Sequence, residues 1–223
     1  MSKRWKLVGV LAASILALSL GRADADIIVL TFEGLDNLEP VADFYDGGFG
    51  GGGSGPGPAY GIVFSDNSLA VIDLDAGGTG NIANEPSPST VLFFLEEGAA
   101  TMNVPAGFTT GCSFFYSSVG FDGFVNVWDG LGGTGTLLAT LELPALGSGC
   151  GGDPSGDYNC WSAVGVPFLG TAMSVDFGGS ANFIAFDDVT LGSETPGPIP
   201  EPGTAALLGA GLLTLGWRRR RRS

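Results

Sequence analysis

The apolar residues in the middle of this 223-residue chain fall into short runs separated by turn-forming residues. Gly, Pro, Asn, Asp and Ser interrupt the runs, and glycine alone accounts for 39 residues. Runs of this length with such interruptions predict strands and turns, and they argue against long helices. The expected strands lie at 26–32, 61–65, 68–74, 90–96, 100–105, 111–119, 123–130, 136–143, 171–178 and 182–192.

Individual segments show the period of two that a half-buried sheet requires. In 123–130, Val125 and Val127 are expected on one face, with Phe124 and Trp128 on the other. Many short strands with this period predict an all-β fold, an antiparallel β-sandwich of jelly-roll-like form.

Turn lengths suggest which strands pair. Segments 111–119, 123–130 and 136–143 are expected to be consecutive antiparallel strands. Segments 171–178 and 182–192 are expected to pair through a Gly-Gly-Ser turn.

The segment 46–61 has low complexity, with glycine at nine of its 16 positions. It carries little apolar surface to offset the entropy of ordering, which predicts a flexible surface loop. A phosphate-binding glycine loop is disfavoured because neither a lysine nor a helix start follows.

The N-terminus has the pattern of a secretory signal peptide over residues 1–25. Lys3, Arg4 and Lys6 precede an apolar run, and Ala23-Asp24-Ala25 supplies the small residues of a cleavage site. We therefore expect export by the Sec translocon and cleavage by signal peptidase before Asp26; an N-terminal membrane anchor is the alternative.

Charge is distributed very unevenly. All nine basic residues lie in the two terminal segments, whereas 22 of the 23 acidic residues lie between Asp26 and Gly216, where there is no Lys, Arg or His. Nucleic acid and anionic lipid are excluded as partners because their phosphates are bound by Lys and Arg. A Ser-His-Asp or Cys-His site is excluded for want of an imidazole. Hard-cation binding, a paired-acid glycosidase and neutral partners such as glycans all stay open.

Three cysteines are present, and an exported chain meets an oxidising environment. Cys150 and Cys160 flank a short polar loop, and we expect a disulfide between them. Cys112 lies in an apolar strand and is expected to be a buried thiol, although its pairing with either of the other two stays open.

Two acidic motifs lie at opposite ends of the predicted sandwich. They are Phe32-Glu33-Gly34 and Phe186-Asp187-Asp188-Val189. This placement resembles jelly-roll modules of the carbohydrate-binding and MAM type, in which the motifs lie on neighbouring strands and hold a structural calcium ion. The resemblance implies Glu33 and Asp187 as calcium ligands, with Asp188 in the same set and backbone carbonyls completing an oxygen shell. The alternative is that Asp187 and Asp188 only cap a strand end or accept turn amides.

The C-terminus combines Pro200-Glu201-Pro202, an apolar segment at 205–217 and five arginines. The apolar segment would span only about 20 Å as a helix, against roughly 30 Å of hydrocarbon. The arginines are expected to act as a cytoplasmic membrane stop; they are Arg218, Arg219, Arg220, Arg221 and Arg222.

This combination resembles the PEP-CTERM family of exported bacterial proteins, with Gly203 where the family most often has Ser or Thr. The resemblance implies processing by an exosortase in a Gram-negative bacterium that makes exopolysaccharide. The chain would be held transiently in the inner membrane through a short transmembrane helix, and would then reach the cell surface or extracellular matrix.

The expected organisation is a signal peptide at 1–25, a β-sandwich at 26–192, a linker at 193–199 and a sorting signal at 200–223. We expect a non-catalytic surface or matrix protein that binds exopolysaccharide or another glycan. An acidic structural matrix protein without a ligand and a glycosidase using two carboxylates are the alternatives.

Overall fold

The structure is a computed structural model, and it describes residues 27–96, 98–152 and 156–197. Within these ranges the chain forms strands and no helix. The strands are β1 (Ile28–Leu30), β2 (Glu39–Pro40), β3 (Val63–Phe64), β4 (Leu69–Ile72), β5 (Thr90–Phe93), β6 (Ala99–Phe108), β7 (Gly111–Ser117), β8 (Gly123–Trp128), β9 (Leu137–Leu143), β10 (Ser162–Pro167), β11 (Ala172–Gly179) and β12 (Ala185–Leu191).

The strands form two antiparallel sheets. One has seven strands in the order β10-β7-β12-β5-β4-β2, with β1 also paired to β12; the other has five, in the order β3-β6-β11-β8-β9. Connections cross repeatedly between the sheets, as in a jelly roll. The prediction of an all-β antiparallel sandwich is confirmed.

The core lies between the sheets and is rich in aromatic rings. Phe114 and Phe186 from the seven-stranded sheet meet Phe177 from the five-stranded sheet, with ring centroids 5.0 to 5.8 Å apart in edge-on contacts. All three side chains are fully buried. Such contacts add to the hydrophobic stabilisation that holds the two sheets together.

The predicted alternation in β8 is confirmed. Val125 and Val127 are fully buried in the core, whereas Phe124 and Trp128 are half-buried on the outer face of the sheet. The Trp128 indole N–H donates to the Asp176 carboxylate at 3.0 Å, so this polar group is satisfied.

Two of the predicted pairings are wrong. β11 and β12 belong to different sheets, and so do β7 and β8, so the turns between them carry the chain across the sandwich. β8 and β9 do pair as expected. The short β2 and the half-exposed β10 were not predicted, because two residues give no period and β10 consists mostly of small side chains.

The glycine-rich segment also differs from its prediction as a flexible loop, since it folds back onto β2. The buried Glu39 carboxylate accepts backbone N–H groups from Asp36 at 2.7 Å, Gly52 at 2.6 Å and Ser54 at 3.0 Å. A side chain at Gly51 would collide with Pro40, at 2.9 Å. The glycines therefore allow close packing around a buried acid.

The two ends of the sandwich carry different loops. At one end, which we call the tail end, β12 finishes, and the turns 108–111 and 168–171 lie beside it. At the opposite end, the far end, lie the connections 94–98, 118–122 and 179–184.

Candidate functional site

The three predicted calcium ligands come together between β1 and β12. Leu30 pairs with Val189, so Glu33, which follows β1, lies near the acids of β12. The pairing of β12 with β7 is irregular after Asp187, and Asp188 adopts a left-handed backbone with φ 49°. A non-glycine residue held in this region is strained, a feature that is enriched at functional sites.

The segment joining β4 to β5 supplies donors to two of these acids. The Ser87 N–H and hydroxyl each donate to Asp187 at 2.8 Å. The N–H groups of Ser89 and Thr90 donate to Glu33 Oε1 at 2.9 and 2.8 Å. Sequence reasoning missed this segment, whose only signal is a run of Ser and Thr before a strand.

Asp188 is the least satisfied of the three. Its Oδ1 is buried and has no hydrogen-bond partner. Burial, followed by the negative charge of Glu33, raises the pKa of Asp188 to about 6. Burial and the charge of Asp188 raise the pKa of Asp187 to about 8, against the opposing hydrogen bonds from Ser87. Ionising all three acids together is therefore costly without a cation.

The donor set meets some requirements of a calcium site. In residues 27–96, 98–152 and 156–197, no three His, Cys, Asp or Glu side chains are arranged as a metal site. Asp187 accepts backbone amides, as the alternative interpretation expected. Two carboxylate oxygens are left for an ion. Asp188 Oδ1 has no partner, and Glu33 Oε2 accepts only from the hydroxyls of Ser89 and Thr90, at 3.4 and 3.5 Å. Both are hard oxygen donors of the kind calcium prefers, and carbonyls would complete the shell.

A groove of about 440 Å³ lies on the outer face of the seven-stranded sheet. Apolar side chains such as Val71 and Phe93 line it together with the polar groups of Thr79, Asn81 and Asn182. The described residues that line it include no Asp or Glu. An apolar cleft with a few polar groups is the usual form of a small-ligand site.

An aromatic pair lies next to this groove at the far end. The rings of Phe121 and Phe183 are 4.4 Å apart, and the side chains are 44% and 40% exposed. Phe183 lines both the groove and a second depression with Gly98 and Gly179. Exposed rings in a concave surface are suited to stacking against a ligand.

A disulfide supports one wall of the groove. Cys150 and Cys160 are joined, with Cα atoms 5.2 Å apart, and Tyr158 on the enclosed loop lines the groove. The Tyr158 N–H donates to the carbonyl of Asn81 at 3.1 Å. Cys112 is a buried free thiol, and burial raises its pKa to about 12.

The C-terminal signal lies outside the described residues, and so does the signal peptide. Pro200, Glu201, Pro202 and the arginines thus have no structural description here. In the part of the chain that is described, no helix has the length and apolarity needed to span a membrane.

Residues 198–221 match the PEP-CTERM protein-sorting motif. This confirms the resemblance inferred from the Pro-Glu-Pro tripeptide, the apolar segment and the arginines. The chain thus carries a protein-sorting motif of exported proteins at its C-terminus. No curated protein matches the chain.

Solved structures with similar folds include carbohydrate-binding modules. A family 6 carbohydrate-binding module is 17% identical, with a TM-score of 0.37, covering 60% of this chain and 93% of the module. The CBM6cm-2 module of Cellvibrio mixtus lichenase 5A, in complex with cellotriose, is 12% identical, with a TM-score of 0.32, covering 56% and 86%. The K3 adhesin domain of Lys-gingipain from Porphyromonas gingivalis is 13% identical, with a TM-score of 0.33, covering 76% and 93%.

Proposed function

We propose that this chain is an exported surface or matrix protein whose C-terminal signal is processed by an exosortase, and that its sandwich binds a neutral glycan without hydrolysing it. The match of residues 198–221 to a protein-sorting motif is the observation that supports export and processing by an exosortase.

The chemistry of the motif supports processing. Pro200 and Pro202 lack a backbone N–H and have a fixed φ, so the segment around Glu201 resists incorporation into a sheet or helix. The apolar segment and the arginine cluster that follow would hold the chain at the inner membrane with the arginines inside. A protease at the outer surface of that membrane could then reach the Pro-Glu-Pro segment.

Intact mass of the surface protein tests this processing. In a strain with an exosortase, the mature protein is expected to lack the residues that follow the Pro-Glu-Pro segment. Glu201→Ala should leave an unprocessed form in the inner membrane. Glu194→Ala, which removes an acid outside the motif, is the control. A mature protein that still carries Arg218–Arg222 would contradict the proposal.

The groove supports glycan binding. Its apolar surface and the exposed ring of Phe183 suit the C–H faces of sugars, and the side-chain amide of Asn182 offers a polar group for hydroxyls. The acidic chain would repel a polyanion, which favours a neutral glycan. The described residues of the lining include no carboxylate pair, and glycoside hydrolysis generally needs two carboxyl groups.

Binding to a panel of neutral and acidic polysaccharides tests the groove. Tyr158→Ala and Phe183→Ala are each expected to weaken binding to a neutral glycan by at least about tenfold, as the loss of a stacking aromatic does. Phe49→Ala is the matched control, because Phe49 is 56% exposed but does not line the groove. Absence of binding across the panel would favour an acidic structural matrix protein. Release of reducing sugar ends would favour a glycosidase.

We also propose that calcium binds in the cluster of Glu33, Asp187 and Asp188. Asp188 Oδ1 and Glu33 Oε2 would be its direct carboxylate ligands, Asp187 would lie beside it, and backbone carbonyls would complete the shell. The orphaned Oδ1 of Asp188 supports this assignment. The ion would neutralise the mutual repulsion of the three carboxylates and join the start of the fold to its last strand.

A further inference from the structure

Three leucines are exposed at the tail end of the sandwich or on the loop beside it. Leu169, in the turn between β10 and β11, is 92% exposed. Leu137 at the start of β9 is 46% exposed, and Leu131 in the loop before it is 43% exposed. Clustered exposed apolar residues mark interaction surfaces more often than isolated ones do.

The topology places Leu137 and Leu169 at the same end. The loop that carries Leu131 lies against the outer face of the five-stranded sheet, where the Gly132 N–H donates to Asn103 and the Gly133 N–H to Ser174. Leu137 pairs with Trp128, the last residue of β8. The turn that carries Leu169 lies next to this strand start, because a side chain at Gly170 would be 3.9 Å from Leu138. The Phe168 N–H donates to the carbonyl of Thr110, which fixes the same turn beside the start of β7.

The chain leaves the described fold at this end as well. The Gly197 N–H donates to the Thr190 hydroxyl at 3.0 Å, close to the end of β12. Residues 198–204 separate Gly197 from the apolar segment 205–217. Seven residues reach at most about 25 Å when fully extended. A tail inserted in a bilayer would therefore keep this end of the sandwich close to the lipid surface.

We propose that the tail end rests on the bilayer while the tail is inserted, with Leu131, Leu137 and Leu169 in contact with the lipid interface. This inference rests on the proposed function, in which residues 205–217 are held in the membrane. Branched aliphatic side chains suit the interface between headgroups and acyl chains. The described residues include no Lys or Arg, so the contact depends on apolar burial and does not require anionic lipid.

This contact orients the domain. The groove and the rings of Phe121 and Phe183 lie towards the far end, so they would face away from the membrane. The far end exposes the rings of Phe121 and Phe183 as well as Leu95, whereas Leu169, the most exposed of these side chains, lies at the tail end. Glycan contact and lipid contact would thus occur at opposite ends of one sandwich.

An environment-sensitive dye attached to a single introduced cysteine tests the contact. The chain with its tail is reconstituted in phosphatidylcholine vesicles, with the dye at Leu169→Cys or, as the matched control, at Leu95→Cys. Leu95 is 49% exposed and follows β5 towards the far end. The emission is expected to shift to shorter wavelength at position 169 and to be quenched by lipids with brominated chains, with neither effect at position 95. Leu131→Ser with Leu137→Ser should reduce the shift.

Each other outcome contradicts a defined part of the proposal. If the chain floats with the vesicles while the dye at position 169 keeps the emission it has in water, the proposed lipid contact is wrong, and insertion of the tail in the membrane is still supported. If the chain does not float with the vesicles, both are wrong. A shift at position 169 without lipid, growing with protein concentration, would assign the surface to a second copy of the chain.

Discussion

Asp188 brings together a left-handed backbone and a buried carboxylate oxygen without a partner. Each feature is costly in a folded protein, and the charge of Glu33 nearby adds to the cost. A bound calcium ion would pair with the free Asp188 oxygen and offset the repulsion between the carboxylates, so the arrangement would then stabilise the fold.

Stability in the presence of chelator should fall as the pH rises from about 4 to 8. Asp187, with a pKa of about 8 in the fold, and Asp188, with about 6, hold protons that the unfolded chain releases near its ordinary value of 3.8. Their stabilising effect is therefore complete below pH 3.8 and is lost as the pH rises through the folded values. Thermal unfolding between pH 4 and 8 measures it, and Asp188→Asn should flatten the dependence.

Calcium should raise the unfolding temperature, and more at pH 8 than at pH 5, because protons compete for the same oxygens. A hundredfold excess over the dissociation constant corresponds to about 2.7 kcal/mol. Asp43→Asn changes an acid outside this cluster and serves as the control. An unfolding temperature that ignores millimolar calcium at pH 8 would rule out the site.

The acids of this cluster could be selected from the sequence, but their donors could not. Glu33 and Asp187 stand in short motifs next to predicted strands. Ser87 lies 100 residues before Asp187, and only the folded chain brings them together. The buried carboxylate of Glu39 was missed for the same reason, since its donors come from the glycine-rich segment.

At the scale of elements, the composition of the glycine-rich loop led to a wrong prediction about its packing. Low complexity predicted flexibility, yet these glycines allow the backbone to pass close to Phe44 and Glu39. Strand positions were more predictable than strand partners. A turn that closes a hairpin and one that crosses the sandwich use the same residue types, so the sequence did not show that β11 and β12 lie in different sheets. In β11 a bulge also shifts the register between Ala172 and Ser174, and Ala172 lies in the core.

Gly57→Ala should destabilise the domain by about 1–3 kcal/mol, because the new methyl group would collide with the Phe44 carbonyl and ring. Gly120→Ala is the matched control, since a methyl group there meets nothing within 4 Å and the backbone is not left-handed. Chemical denaturation compares the two. Equal stability of both variants would show that the loop is not packed as described.

At the scale of the whole molecule, the carboxylate cluster, the groove and the exit of the chain lie at different places on the sandwich. The carboxylate cluster joins the first strand to the last, the groove lies towards the far end, and the chain leaves at the tail end. The all-β class could be predicted because period-two alternation and glycine-rich turns are local signals. The groove could not, since its lining comes from segments as distant as Leu38 and Phe183.

The lack of basic residues in the sandwich has a further consequence, for proteolysis. A protease that cuts only after Lys or Arg has no target bond between residues 23 and 217. Trypsin should therefore leave this stretch in one piece even after denaturation, whereas a protease that cuts at apolar residues should degrade the unfolded domain. A protein displayed outside the cell would be shielded from that whole class of enzymes by its composition, whatever the stability of its fold.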